Sequence, residues 1–285
     1  MPKRSNTAAG EDGNGTTLHY FSFSSDVLMK CCPLPKEMIH HVNLKTNTLT
    51  IEASQSMRLS EYLKKTKKHM EYRDMEKMIQ MIGTQIQQME EMDKGIPSFN
   101  LDDISVFYTR SISNKNDSDD SDDSDDSDDS DDSDDSPVVV DRSDHTSKYT
   151  NGLYFAITND DKVCDFDDTT QQLNIITPYK SDYTTIPATG GTSSAHKRGN
   201  RAFISPEFEK FISTKTLPYS IHFKSGYYSF GLLCAYCFVS KTITSRFTST
   251  LEQHAALASI INTKIYWFLL RLLHENPSMR RYICL

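Results

Sequence analysis

The chain has 285 residues, of which 37% are hydrophobic and 25% charged, enough for a sizeable core that needs no staples. Its formal net charge is −8, yet residues 117–136 alone hold thirteen aspartates and no base, and setting those aside leaves +5 for everything else. Six cysteines in this length exclude a disulfide scaffold, and no apolar run reaches the ~20 residues a membrane span needs, the best being Tyr227 to Val239 before Ser240 and Lys241.

In chain order, residues 1–16 read as a polar tail with almost nothing to bury. The stretch is basic, then small and polar, without a signal peptide's apolar centre, so an intracellular setting, cytoplasmic or nuclear, is expected. Gly10, Gly13 and Gly15 have the spacing G-x-x-G-x-G with no strand before them, which is not a phosphate-cradling loop. Leu18 to Phe23 is strand-like, and Leu49-Thr50-Ile51-Glu52-Ala53 alternates at period two. Ser60 and Glu61 open a helical region. Met75, Met78, Ile79, Ile82, Ile86 and Met89 then recur at steps of three and four, predicting a long helix with one buried face, ended by Gly95 and Pro97. Ile104 to Tyr108 reads as a strand.

The acidic tract follows; its like charges repel and its repeat buries nothing, which predicts a solvated insert over 114–142. Leu153 to Ile157, the turn Asn159-Asp160-Asp161-Lys162, and Val163 to Phe166 together predict a hairpin. Residues 168–204 read as a long loop. The last eighty residues are mostly helical and apolar, over Tyr227 to Val239 and Leu251 to Leu273, with Trp267 expected in the core. Cys234-Ala235-Tyr236-Cys237 lies inside an apolar helix and lacks a second pair, so it is not a zinc motif; Cys31-Cys32 near His40-His41 shows no ligand geometry either.

Four segments carry a resemblance. Val163-Cys164-Asp165-Phe166-Asp167 looks like a strand leading into a D-F-G triplet, with Asp167 where glycine is usual. Phe203-Ile204-Ser205-Pro206-Glu207 looks like an A-P-E box. Tyr228-Ser229-Phe230-Gly231-Leu232-Leu233 looks like the start of a central helix, and Asn276-Pro277-Ser278-Met279-Arg280 looks like a D-P-x-x-R turn. In this order they make the chain, over residues 49–282, resemble the protein kinase family, in particular the divergent kinase-like proteins of large DNA viruses. The resemblance implies an α+β fold with a reduced N-lobe of strands over 17–55 and a mainly helical C-lobe over 56–285, interrupted by the acidic insert. It also implies that Glu207 and Arg280 form a buried, bidentate structural ion pair.

Phosphoryl transfer needs a glycine-rich cover, a lysine on the phosphates, a loop aspartate and ligands for Mg²⁺. By the resemblance Asp165 is the metal ligand, and ATP with Mg²⁺ are the cofactors an active member takes. Two segments can stand for the catalytic loop. In Ile96 to Val106, Asp103 takes the asparagine position and Ser98 that of the proton acceptor, so the base is missing, and Asp102 or Asp103 would stand in for it only in an active atypical kinase. In Asp144 to Asn151, Lys148 and Asn151 match the family's spacing and Thr146 replaces the aspartate. The first is favoured because a long helix leads straight into it. Lys30, with Glu37, is the candidate remnant of the phosphate lysine. Gly226 occupies the position of an aspartate that anchors the loop in the family, as though the loop no longer needed holding.

Six Ser-Asp-Asp triplets make the insert a dense phosphorylation target and a candidate ligand for a basic partner. The sequence thus points to a pseudokinase that works by binding protein partners, with no specific nucleic-acid signal. An active atypical Ser/Thr kinase and a helical interaction protein of another fold are the alternatives.

Overall fold

The computed structural model describes residues 7–11, 17–66, 69–109, 152–176, 202–214, 216–243 and 247–282. The acidic tract, Gly13 and Gly15, Lys148 and Asn151 lie outside them, as does most of the loop expected over 168–204. The fold is α+β, with antiparallel sheets and helices intermixed along the chain.

Strands β1 (Thr7–Glu11) and β2 (Thr17–Ser24) come first, so part of the expected tail is paired backbone. A short helix α1 (Asp26–Lys30) follows, where Ser25 accepts from the Leu28 N–H at 3.1 Å. Strands β3 (Ile39–Asn43) and β4 (Thr48–Ala53) complete a sheet in the order β1-β2-β4-β3. The alternation read in β4 is real: Leu49, Ile51 and Ala53 are buried and their neighbours are not. Strand β5 (Gln55–Arg58) runs into helix α2 (Leu59–Thr66), and helix α3 (Tyr72–Glu90) carries the predicted methionine–isoleucine stripe on its buried face. Each such side chain contributes roughly 1.5–3 kcal/mol of burial. Helix α3 stops at Glu90, well before Gly95. Asp93, at φ 53°, turns the chain, and Gly95 enters a strand where an added Cβ would collide with Leu173.

That strand is β6 (Lys94–Gly95), followed by β7 (Phe99–Asn100), a single 3-10 turn (Leu101–Asp103), and β8 (Ile104–Thr109). Strand β9 (Gly152–Ile157) pairs with β8 from Ile104↔Ile157 to Thr109↔Gly152, and β8 lies between β5 and β9. The edge of β9 is covered by α3: buried Gln85 donates to the Ile157 carbonyl at 3.1 Å and accepts the Ile157 N–H at 2.7 Å. Strands β10 (Cys164–Asp167) and β11 (Gln172–Ile175) pair with each other, and β10 also pairs with β6. The hairpin expected between Leu153–Ile157 and Val163–Phe166 therefore does not form, because each run has a better partner elsewhere.

Strand β12 (Ala202–Phe203) pairs with β7, helix α4 (Pro206–Thr214) follows, and β13 (Tyr219–His222) closes the sheet β13-β11-β10-β6. Helix α5 (Ser225–Phe238) is buried nearly all round. Helices α6 (Thr250–Ala256) and α7 (Lys264–Leu272) end the described fold, capped by Ser249 and Thr263. Trp267 is 60% exposed, contrary to expectation: it shares the outer face of α7 with Lys264 and Arg271, while Ile265, Phe268, Leu269 and Leu272 face inward. One continuous core runs from Phe23 to Leu273, with a smaller cluster of Leu173, Ile175, Phe208, Phe211 and Ile221.

Candidate functional site

The segment Ile96–Asp103 is largely buried, and side chains of α5 bind its backbone directly. Ser225 Oγ donates to the Pro97 carbonyl at 3.1 Å and lies 2.5 Å from Ser205 Oγ, which caps the Phe208 N–H. Ser229, one turn further along α5, accepts the Phe99 N–H at 2.6 Å and donates to the Phe203 carbonyl. Between the two serines stands Gly226, where any Cβ would overlap the Ile96 carbonyl oxygen. The glycine that suggested a loose loop thus marks the point of closest approach, and the loop is held by serines. Phe99 and Asn100 are further paired to β12.

Within this segment Ser98, which the resemblance puts at the proton acceptor's position, is completely buried. Asp102 accepts a short hydrogen bond from the Ser60 hydroxyl of α2. Asp103 is buried, and its carboxylate is enclosed: the Asn100 N–H reaches Oδ2 at 2.6 Å, Asn159 Nδ2 reaches Oδ1 at 2.9 Å, and Lys162 Nζ lies 2.5 Å from Oδ2. The Lys162 and Asp103 side chains are only 9% and 4% exposed. Asn159 and Lys162 belong to the turn after β9, which the Thr158 N–H ties to the Asp103 carbonyl at 3.0 Å. Arg58 Nη1 adds bonds to Thr158 Oγ1 at 2.7 Å and Ser105 Oγ at 3.2 Å, making a connected polar cluster beneath the sheet.

The other predicted residues fall elsewhere. Asp165 is 65% exposed and ion-paired with Lys94, its register partner on β6. Asp167 is held below the usual carboxyl range by the Thr170 side chain first, and then by the Thr170 and Thr169 N–H groups of its own turn. Among the described residues no group of three or more His, Cys, Asp or Glu side chains stands together as a metal site. The donor set does not fit Mg²⁺: the exposed aspartate stands with a lysine, and the buried one is already filled. Lys30 pairs with Asp26 in α1 at 3.1 Å, both more than half exposed, and so reaches toward solvent instead of a phosphate site.

Glu207 and Arg280 do meet. Fully buried Arg280 places both terminal nitrogens on the Glu207 carboxylate, Nη2 at 3.1 Å from Oε2. Its remaining N–H groups go to the carbonyls of His274 at 2.8 Å, Lys224 at 3.0 Å and Glu275 at 3.1 Å. All five guanidinium donors are thereby used, which a lysine could not match. Cys234 and Cys237 are fully buried and their thiols are pushed up by desolvation, consistent with packing.

No local pattern in the sequence marks Asn159, Lys162, Ser60 or Ser229 as members of this centre. Lys162 lies in a turn rich in charge, where lysine is ordinary, and its partner lies across the acidic insert. No protein-family model and no curated protein matches this chain.

Proposed function

We propose that the chain is a protein-kinase-like pseudokinase that acts by holding a protein partner and transfers no phosphate. The observation that carries this reading is the state of the Ile96–Asp103 segment. Ser98 is wholly buried where a proton acceptor must face its substrate, and Asp103 is saturated by Asn100, Asn159 and Lys162. What supports the kinase-like frame is the joint placement of a long amphipathic helix, a strand-entering loop and the Glu207–Arg280 clamp. The strands remove an all-helical interaction protein from the alternatives.

An active kinase using Asp102 as base is the second reading, favoured by the partial exposure of that carboxylate. Radiolabelled ATP with a generic protein acceptor separates the two. The expected result is no transfer by the wild type above an acceptor-only control. Transfer that Asp102→Asn or Asp165→Ala abolishes would overturn the pseudokinase.

A further inference from the structure

We propose that the Lys162 ammonium is a built-in replacement for a divalent cation on Asp103, locking the loop without metal and keeping metal out. The inference rests on the kinase-like reading only for its choice of a divalent ion as the group displaced.

Three observations carry it. First, the charge is balanced locally: one carboxylate and one ammonium lie 2.5 Å apart, both nearly removed from solvent. A divalent ion brought to the same carboxylate would meet a fixed positive charge in a poorly screened setting. Second, the carboxylate is sterically closed. Oδ2 is taken by Lys162 and by the Asn100 N–H, and Oδ1 by the Asn159 amide. Hard cations want several oxygen ligands, one or two of them carboxylates, and Lys162 already occupies the place at Oδ2 that such an ion would take. Third, the lysine is positioned. The turn that bears it is bound to the loop by the Thr158 N–H to Asp103 carbonyl bond, and is closed by the Val163 N–H to Asp160 carbonyl bond at 2.9 Å. The ammonium is delivered onto Asp103 by backbone geometry, so the order of the loop needs nothing from solution.

The test is Mn²⁺ titration, followed by electron paramagnetic resonance and by thermal melting, on the full chain. The forms compared are wild type, Asp103→Asn, Lys162→Met, which keeps the stem without its charge, and Lys162→Met combined with Asp103→Asn. The Asp-rich tract takes up Mn²⁺ in every form, so the reading is the uptake that Asp103→Asn removes. Wild type is expected to show none and to melt alike in EDTA and in Mn²⁺. Lys162→Met is expected to gain one Asp103-dependent ion and to melt at least ~3 °C higher in saturating Mn²⁺ than in EDTA. A Lys162→Met chain that folds only with Mn²⁺ also supports the proposal. Asp103-dependent uptake by wild type overturns it, as does a folded Lys162→Met that takes no ion, or an unfolded one that Mn²⁺ does not restore. Phosphate transfer by the wild type would defeat the proposed function while leaving these titrations to decide the present point separately.

Discussion

Glu90, at the C-terminal end of α3, is a half-buried carboxyl group whose surroundings disfavour its charge. Burial pushes its carboxyl up to about 7 from an ordinary 4.5, although the Tyr227 hydroxyl at 2.9 Å and the Lys224 charge pull the other way. The folded chain therefore binds this proton more tightly than the unfolded chain does. Its contribution to stability is complete below about pH 4.5 and is lost as pH rises to about 7. Glu90→Gln keeps an acceptor for Tyr227 and removes the charge. It is expected to stabilise the protein by up to about 3 kcal/mol at pH 8 and to do almost nothing near pH 4.5. Denaturant titrations at the two pH values check this, and an equal effect at both would refute the desolvation argument. Burial shifts two thiols in the same direction, raising Cys31 to about 12 and Cys32 to about 11.

Among the elements, α5 does most to fix the centre, because Ser225, Gly226 and Ser229 lie on one of its faces and meet the Ile96–Asp103 segment directly. Gly226→Ala forces the Ile96 carbonyl to move and is expected to cost more than ~2 kcal/mol, against a gain of ~1 kcal/mol that the same change gives in an unobstructed helix. Urea unfolding of Gly226→Ala beside Gly231→Ala measures it, since the added methyl at Gly231 meets only side-chain carbons of Leu272 and Leu273. An indifferent Gly226→Ala would mean that the loop is loose after all.

Elements such as α3 and β4 were legible in the sequence because their periods are local properties of consecutive residues. The partner of β9 was not legible. Leu153–Ile157 and Val163–Phe166 flank a good turn, but the choice of partner is settled by burial: β8 is buried along almost its whole length and needs a strand on both sides, and β9 supplies the second. The exposure of Trp267 was open to inspection, since Lys264 and Arg271 lie three before and four after it on the same helical face. The composition of α7 as a whole hid that detail.

At the scale of the molecule, Arg280 joins the end of the chain to α4 and to the entrance of α5 through Glu207 and three carbonyls. The motifs that carried the kinase resemblance put these two residues together, and the geometry could not have been inferred from spacing, as 73 positions separate them. Arg280→Ala strands a carboxylate that is only 19% exposed and takes a donor away from each of three carbonyls. The expected loss is about 3–5 kcal/mol, and Arg280→Lys is expected to recover less than half of it. Equilibrium urea curves settle both, and a loss under 1 kcal/mol would show the clamp to be incidental. Because one core runs from Phe23 to Leu273, this loss is expected to show in every spectroscopic probe at once.

Thr109 and Gly152 are register partners, so the chain leaves and re-enters the sheet at neighbouring points. Whatever is threaded between them changes neither the angle nor the spacing at which the two strands meet. Copies of the Ser-Asp-Asp unit can therefore be gained or lost during replication of the gene without the folded body registering the change. The register of the two strands that bracket that stretch sets no length for it.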